Sequence, residues 1–330
     1  MQQRVLTAAV RRAMKTAWFV RVAARKRQDP GLDRQVAAAL EFQRIARLPA
    51  IESMTPQAAR AYAANSLSLL DLDPAPMAEV IDTTAAGLPV RIFVPDDARG
   101  DWLVYFHGGG GVIGSIAASE PVTRYLAART KCTVASVEYR LGPEHKHPAA
   151  IDDAIAAFAA LAARVPAGKK LAVGGDSFGG FLSAHVEHHA RTRGGMRRPD
   201  VQVLIYPLVD MTLSSPSIER LGTGNLLTSG MIYWFRGHYL NAGDDMKACS
   251  PWFWTDLAGA SAAIIATAGF DPLVEEGDAW AARLRAAGAT VRHHQNPSLI
   301  HGFISLAGAV DAARAATDRI CDDLIALLGA

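Results

Sequence analysis

The sequence predicts an α/β fold: a mostly parallel sheet of eight strands with helices on both faces and a helical cap. Three observations carry this reading. Beyond about residue 76, short apolar runs alternate with segments of helical periodicity, as in repeated βαβ units. Gly175-Asp176-Ser177-Phe178-Gly179 stands between one such run and a helix, and His107-Gly108-Gly109-Gly110 directly follows another.

The first 75 residues read as helices. Leu32 to Leu48 carries a helical apolar pattern, and Thr55-Pro56 followed by Gln57-Ala58-Ala59-Arg60 has the form of a capped helix start. Leu72-Asp73-Pro74-Ala75-Pro76 breaks the pattern. It marks a boundary between a helical cap region, 1–75, and an α/β domain, 76–330, which carries the motifs taken up below. Met1 to Arg27 holds Arg4, Arg11, Arg12, Lys15, Arg21, Arg25, Lys26 and Arg27 and no acid. On a helical wheel Val5, Leu6, Ala9, Val10, Ala13, Met14 and Ala17 share the face opposite the charges. Such a helix either rests on its own protein as part of a lid or lies on an anionic membrane surface; the lid is favoured because amphipathic helices usually face their own core. Its longest apolar run, Ala17 to Val20, is too short for a signal-peptide core, and no cleavage site follows. No stretch reaches the roughly 20 apolar residues that span a bilayer, so a cytoplasmic location is expected.

In the α/β domain, strands are predicted at 78–83, 88–94, 102–106, 133–139, 170–174, 201–206, 263–268 and 289–294, and helices at 119–130, 149–163, 178–193, 274–287 and 306–328. The stretch from Asp210 to Thr255 interrupts the alternation and is rich in aromatics, including Tyr233, Trp234, Phe235, Tyr239, Trp252, Phe253 and Trp254. An insertion of this size between two strands, at about 210–255, is expected to form part of a cap or pocket.

Half the residues are hydrophobic and a fifth charged, which suits a chain with a large core. A net charge of +2, with no basic stripe interleaved with aromatics, excludes a nucleic-acid partner. Cys132, Cys249 and Cys321 are scattered, with no CxxC pair; they suit buried inert thiols and neither a disulfide framework nor a zinc site. No metal is expected.

The G-x-S-x-G pattern is weak alone. Its context strengthens it, because Lys170 to Gly174 reads as a strand and Phe178 onward as a helix. A serine on that turn has a strained backbone that needs small neighbours, here Gly175, Gly179 and Gly180. Its hydroxyl then faces a helix N-terminus, whose dipole favours developing negative charge. Acyl transfer also needs prepositioned N–H donors for the oxyanion. Gly108 and Gly109, with the N–H of Phe178, are the expected donors. Of ten histidines, His301 in Ile300-His301-Gly302-Phe303 follows the last predicted strand, on the same sheet edge as Ser177, and is the expected base. His145, His147, His185, His188, His189 and His238 are assigned to helices or the insertion, and His293 and His294 to the last strand. His107 is expected to shape the glycine loop. The acid should lie between serine and histidine, where Asp271 closes the strand Ala263 to Ala268. Glu275 and Glu276, one turn on, are rivals with a routine helix-dipole explanation, and Asp210 also follows a strand, but one too early.

Together these motifs resemble the bacterial hormone-sensitive-lipase-like esterases of the α/β-hydrolase superfamily. The likeness runs from about Leu32 to the C-terminus. It takes in His107–Gly110, Tyr139 to His145, Pro148-Ala149-Ala150, Gly175–Gly180, Tyr206-Pro207, Ser250-Pro251, Asp271-Pro272-Leu273 and His301-Gly302-Phe303. The resemblance implies a cap of N-terminal helices plus an insertion after the sixth strand, a structural role for Glu144 beneath the oxyanion turn, and a cofactor-free reaction on short- to medium-chain esters. Two departures bear on the substrate pocket. Phe178 stands where the family commonly has alanine, so its ring is expected to line the pocket, and Gly111 stands where an aromatic is usual, so it is expected to open space. Asp176 is a third expected pocket residue. The expected reaction is two-step acyl transfer on a small-molecule ester through Ser177, His301 and Asp271. Lactone or amide hydrolysis, deacetylation and a non-catalytic binding role are the alternatives. A monomer and a homodimer are both left open.

Overall fold

The computed structural model describes residues 16, 20–24, 29–66 and 70–329. Most of the basic segment 1–27 therefore lies outside the described residues. Eight strands form one sheet in the order β1-β2-β4-β3-β5-β6-β7-β8. They are β1 (Glu79–Ala85), β2 (Leu88–Val94), β3 (Trp102–Phe106), β4 (Thr133–Val137), β5 (Leu171–Asp176), β6 (Val201–Ile205), β7 (Ala262–Phe270) and β8 (Val291–Ile300). β2 runs antiparallel to β1 and β4, and the remaining neighbours are parallel. β4 and β6 are buried along their whole length, so in sequence they are short, mostly apolar runs, as covered parallel strands are, with Thr133, Ser136 and Gln202 as their buried polar members.

Helices cover both faces. On one lie α3 (Ile116–Thr130) and the last helix, α9 (Asp311–Leu328), whose Val122, Leu126, Ala313, Ile320 and Leu324 share a core with Phe93, Leu103 and Val134 of the sheet. On the other lie α4 (Ala149–Ala162) and α5 (Phe178–Thr192), around Phe158, Phe181 and Leu182, and α8 (Val274–Ala286), which buries Trp280 against Leu204 and Ile265. Of the N-terminal helices, α1 (Arg34–Ile45) docks on the body of the domain. Its Val36, Ala37 and Leu40 join the core of α9, and Gln35 bonds Asp311. α2 (Pro56–Ser66) starts as its sequence suggests, with the Thr55 hydroxyl accepting from the Ala58 N–H.

Most element ends fall within three residues of expectation, and three larger or qualitative differences stand out. β8 was expected to end at 294, yet it continues to Ile300 because a register shift at Ala268/Phe270 of β7 absorbs Pro297, at a point where a Cβ on Gly269 would lie 2.3 Å from the Pro297 carbonyl oxygen. The helix expected from 306 begins only at Asp311; 303–306 is a 3₁₀ turn, and Gly308 fits so closely beneath residues 70–71 that a Cβ would lie 2.0 Å from the Asp71 carbonyl oxygen. His145 and His147 sit in the turn before α4 and not in a helix.

The register sets up one sheet edge. Phe106 pairs with Gly175, Asp176 with Ile205, and Phe270 with Ile300. The chain therefore leaves β3, β5, β7 and β8 at the same end, carrying the glycine loop, Ser177, Asp271 and His301.

Candidate active site

Ser177 occupies the step between β5 and α5 with φ 55° and ψ −116°, a conformation L-residues rarely adopt. Its N–H donates to the Ile205 carbonyl at 2.8 Å. The tightness behind it explains the glycines: a Cβ on Gly179 would lie 1.8 Å from the Phe106 carbonyl oxygen, and one on Gly175 2.2 Å from the same atom. Ser177 Oγ lies 2.9 Å from His301 Nε2, and His301 Nδ1 lies 2.8 Å from Asp271 Oδ2. Because a carboxylate only accepts, the imidazole proton belongs on Nδ1, leaving Nε2 to accept from the serine hydroxyl. Asp271 is fully buried, and its other oxygen accepts from the Leu273 N–H at 2.8 Å. Tyr206 lies against the imidazole, with ring centroids 4.6 Å apart. The three residues singled out in the sequence are thus brought together in one hydrogen-bonded line.

The two glutamates considered as rivals for the acid point elsewhere. Glu275 accepts from the Ser217 N–H and pairs with Arg220. Glu276 is fully buried and accepts from the N–H groups of Val209 and Asp210 at 2.6 and 3.2 Å, while its Oε2 has no partner. Burial pushes this carboxyl well above its ordinary value, with Asp210 and Asp271 adding to the effect against the two N–H donors. A raised folded-state value means that the unfolded chain releases the proton first. The stability this group contributes is full below the ordinary carboxyl range and is lost as pH rises toward the folded value, by at most about 1.4 kcal/mol per pH unit. Glu276→Gln, which mimics the neutral acid, is expected to melt above the native protein near pH 8 and to lose that advantage toward about pH 4. A melting difference independent of pH would show that Glu276 is not held protonated.

The glycine loop requires a correction. Gly108 was expected to donate to an oxyanion, but its N–H is held by Asp176 Oδ1 at 2.9 Å. Asp176, expected to line the pocket, does border it, yet its carboxyl also takes the Tyr105 hydroxyl at 2.7 Å and so works beneath the loop as a support. Burial keeps the Tyr105 phenol well above its ordinary value, so it remains a donor. Among the described residues the N–H groups of Gly109, Gly110 and Phe178 have no hydrogen-bond partner. Gly109 and Gly110 have φ of +121° and +61°, which glycine alone adopts freely.

His107 fixes the loop from below. Its Nδ1 contacts the Gly108 carbonyl at 2.7 Å, its ring stacks on Tyr139 at 4.4 Å, and the Tyr139 hydroxyl donates to the His107 carbonyl at 2.7 Å. Burial lowers the imidazole below its ordinary value, so it serves as a neutral prop. From the outer side Arg60 of α2 donates to the carbonyls of Val112 and Gly142 and pairs with Glu144 at 2.6 Å. That hydrogen-bonded pairing brings the Glu144 carboxyl down to about 2.

Gly111 requires a second correction. The space expected there is filled: a Cβ would lie 2.8 Å from both Phe178 Cζ and Tyr239 Cδ2, and Gly111 does not border the cavity. Phe178 does border it, with a fully buried side chain. The cavity measures about 200 Å³, and its walls are mainly apolar. Its roof comes from two places: Ile51 and Ala63 of the N-terminal region, and Leu227, Met231, Phe235 and Tyr239 of the insertion, the last three on α7 (Ser229–Tyr239). The two pieces meet where Glu52 accepts from the Thr228 hydroxyl at 3.1 Å. The other aromatics of the insertion are not all part of this roof; Trp252 and Trp254 pack on Trp280 and Leu257 under α8. Tyr105, Tyr139 and Gly110 escaped the sequence reading as site residues. The signal for Gly110 was present in the glycine run, but nothing in the sequence ranks one of those glycines above another.

Among the described residues no group of three His, Cys, Asp or Glu side chains could hold a metal ion, and no helix is long and apolar enough to cross a membrane.

Comparison with known proteins agrees with the geometry. The alpha/beta hydrolase fold family matches residues 103–305. The chain is 38% identical to the carboxylic ester hydrolase LipN of Mycobacterium tuberculosis, over 74% of this chain and 68% of that one. It is 33% identical to an ethyl acetate hydrolase of Pseudomonas putida, over 68% and 74%. Among solved structures, an ester hydrolase from the metagenome of Lake Arreo in Spain, complexed with a bipyridine phosphonate derivative, superposes with a TM-score of 0.86 at 33% identity, covering 91% of this chain and all of that one. With the sheet order, the serine turn and these matches in agreement, the chain belongs to the alpha/beta hydrolase fold family, among its hormone-sensitive-lipase-like carboxylic ester hydrolases.

Proposed function

We propose that Ser177, His301 and Asp271 carry out the ester hydrolysis, and that the oxyanion is met by the N–H groups of Gly109, Gly110 and Phe178. The observation that carries this reading is the unbroken line from Asp271 Oδ2 through His301 to Ser177 Oγ, with steps of 2.8 and 2.9 Å, at a strained turn facing the cavity. His301 Nε2 takes the serine proton as Oγ bonds to the ester carbonyl carbon. The carbonyl oxygen becomes the oxyanion. The carbon–oxygen bond to the alcohol then breaks, and His301 returns the proton to the departing alkoxide. Water repeats the sequence on the acyl-enzyme, releasing the acid and freeing Ser177.

The proposed substrates are esters with short to medium acyl chains. Two observations favour the shorter end: a cavity of about 200 Å³, and a relative named for hydrolysing ethyl acetate. Residues 51–66 and the insertion around α7 are proposed as the two pieces of the cap over this cavity. A fluorophosphonate probe tests the chemistry, because it traps a nucleophilic serine as a stable adduct. One adduct per chain is expected, on the peptide containing Ser177, and it should be lost in His301→Ala. Active enzyme labelled at another residue, or not labelled, would overturn the assignment.

A further inference from the structure

We infer that the ring of Phe178 sets the depth of the substrate cavity and restricts the enzyme to compact esters. This rests on the proposed Ser177 mechanism, since Phe178 is the residue after the nucleophile and supplies one oxyanion N–H. Its side chain does a separate job. The ring is fully buried, lies 5.1 Å from Phe181 in a stacked arrangement and 4.8 Å from Tyr239 edge-on, and is tilted against Tyr139 at 6.1 Å. It occupies the volume that a side chain at Gly111 would need.

The glycine loop is therefore held between rings. Phe178 and Tyr239 lie against Gly111, and Phe235 of α7 lies over Gly110, where a Cβ would come within 2.3 Å of its Cγ. Phe178, Phe235 and Tyr239 all belong to the cavity's lining, and the fully buried Phe178 ring forms the backing wall behind that lining, within the aromatic cluster. Interiors are packed at crystal-like density, and the neighbours of a truncated core side chain close the space it leaves only in part. Removal of the ring would extend the cavity next to the oxyanion donors and admit longer chains.

The test uses Phe178→Ala and, because alanine at so buried a site costs stability, Phe178→Leu as the milder variant. kcat/KM is measured across p-nitrophenyl esters from acetate to decanoate, and across acetate esters of alcohols of increasing length. Any general loss from disturbing the oxyanion N–H cancels in the ratio of long to short substrates. That ratio is expected to rise about tenfold or more in one of the two series for Phe178→Ala, and by less for Phe178→Leu. Unchanged ratios in both series, in folded variants that still hydrolyse the acetate, would overturn the inference. Fluorophosphonate labelling of the unsubstituted enzyme is read separately, so a failure of the Ser177 mechanism is not mistaken for a failure of the Phe178 wall.

Discussion

Ser177→Ala is expected to lower kcat for p-nitrophenyl acetate by about 10⁴-fold or more while leaving the fold intact. Without Oγ no acyl-enzyme forms, and what remains is the pull of the oxyanion N–H groups on a carbonyl attacked directly by water. The fold should tolerate the change because alanine keeps the Cβ and the strained backbone of the turn, and Oγ has His301 Nε2 as its partner. The Ser177 N–H to Ile205 and the packing of Gly175 and Gly179 on Phe106 are main-chain features that survive the substitution. Turnover together with thermal melting checks both halves of the expectation. Turnover close to the native value in a folded variant would exclude Ser177 as the nucleophile.

Asp271→Asn should produce a loss of comparable size, about 10⁴-fold near neutral pH, by a different route. The Leu273 N–H points at Oδ1 and requires an acceptor there. The asparagine carbonyl must take that position, which turns its NH₂ toward His301 Nδ1. An NH₂ group donates, so the imidazole has to present a lone pair on Nδ1 and carry its proton on Nε2. In that tautomer Nε2 cannot accept the Ser177 proton. The side-chain volume hardly changes, so melting should stay close to native. A loss below about tenfold would remove Asp271 from the mechanism and reopen the search for the acid.

Much of this was legible in the sequence, for identifiable reasons. Parallel strands covered on both faces leave mostly apolar runs, and on that signal β3 was placed to the residue, with the ends of β6 and β4 off by one and two residues. Asp271 and His301 were singled out by position alone, and the structure brings them into contact with each other and with Ser177 because the fold places loop residues after β7 and β8 on one edge. What could not be read was mostly through-space. Gly108, Gly109 and Gly110 are identical letters, and only the pairing of Phe106 with Gly175, which carries Asp176 under the loop, decides whose N–H is engaged. The filling of the space at Gly111 by Phe178 is likewise a contact between distant positions. β8 was expected to end at 294, before Pro297, whereas a bulge in the neighbouring strand carries the pairing past it to Ile300.

The clasp that Arg60 makes on Val112, Gly142 and Glu144 has a consequence for engineering. Exchanging lids between related enzymes is a common route to new selectivity, and it assumes that the lid is a detachable module. Here one guanidinium belongs at once to α2, part of the proposed cap, and to the frame of the glycine loop. A transplanted segment lacking that arginine would leave the Val112 and Gly142 carbonyls without its N–H groups and the Glu144 carboxylate without its guanidinium partner, with Gln57 as a remaining side-chain donor only if it too is carried over. Arg60, Gly142 and Glu144 therefore form an inheritance unit, to be moved together or kept together in any chimera.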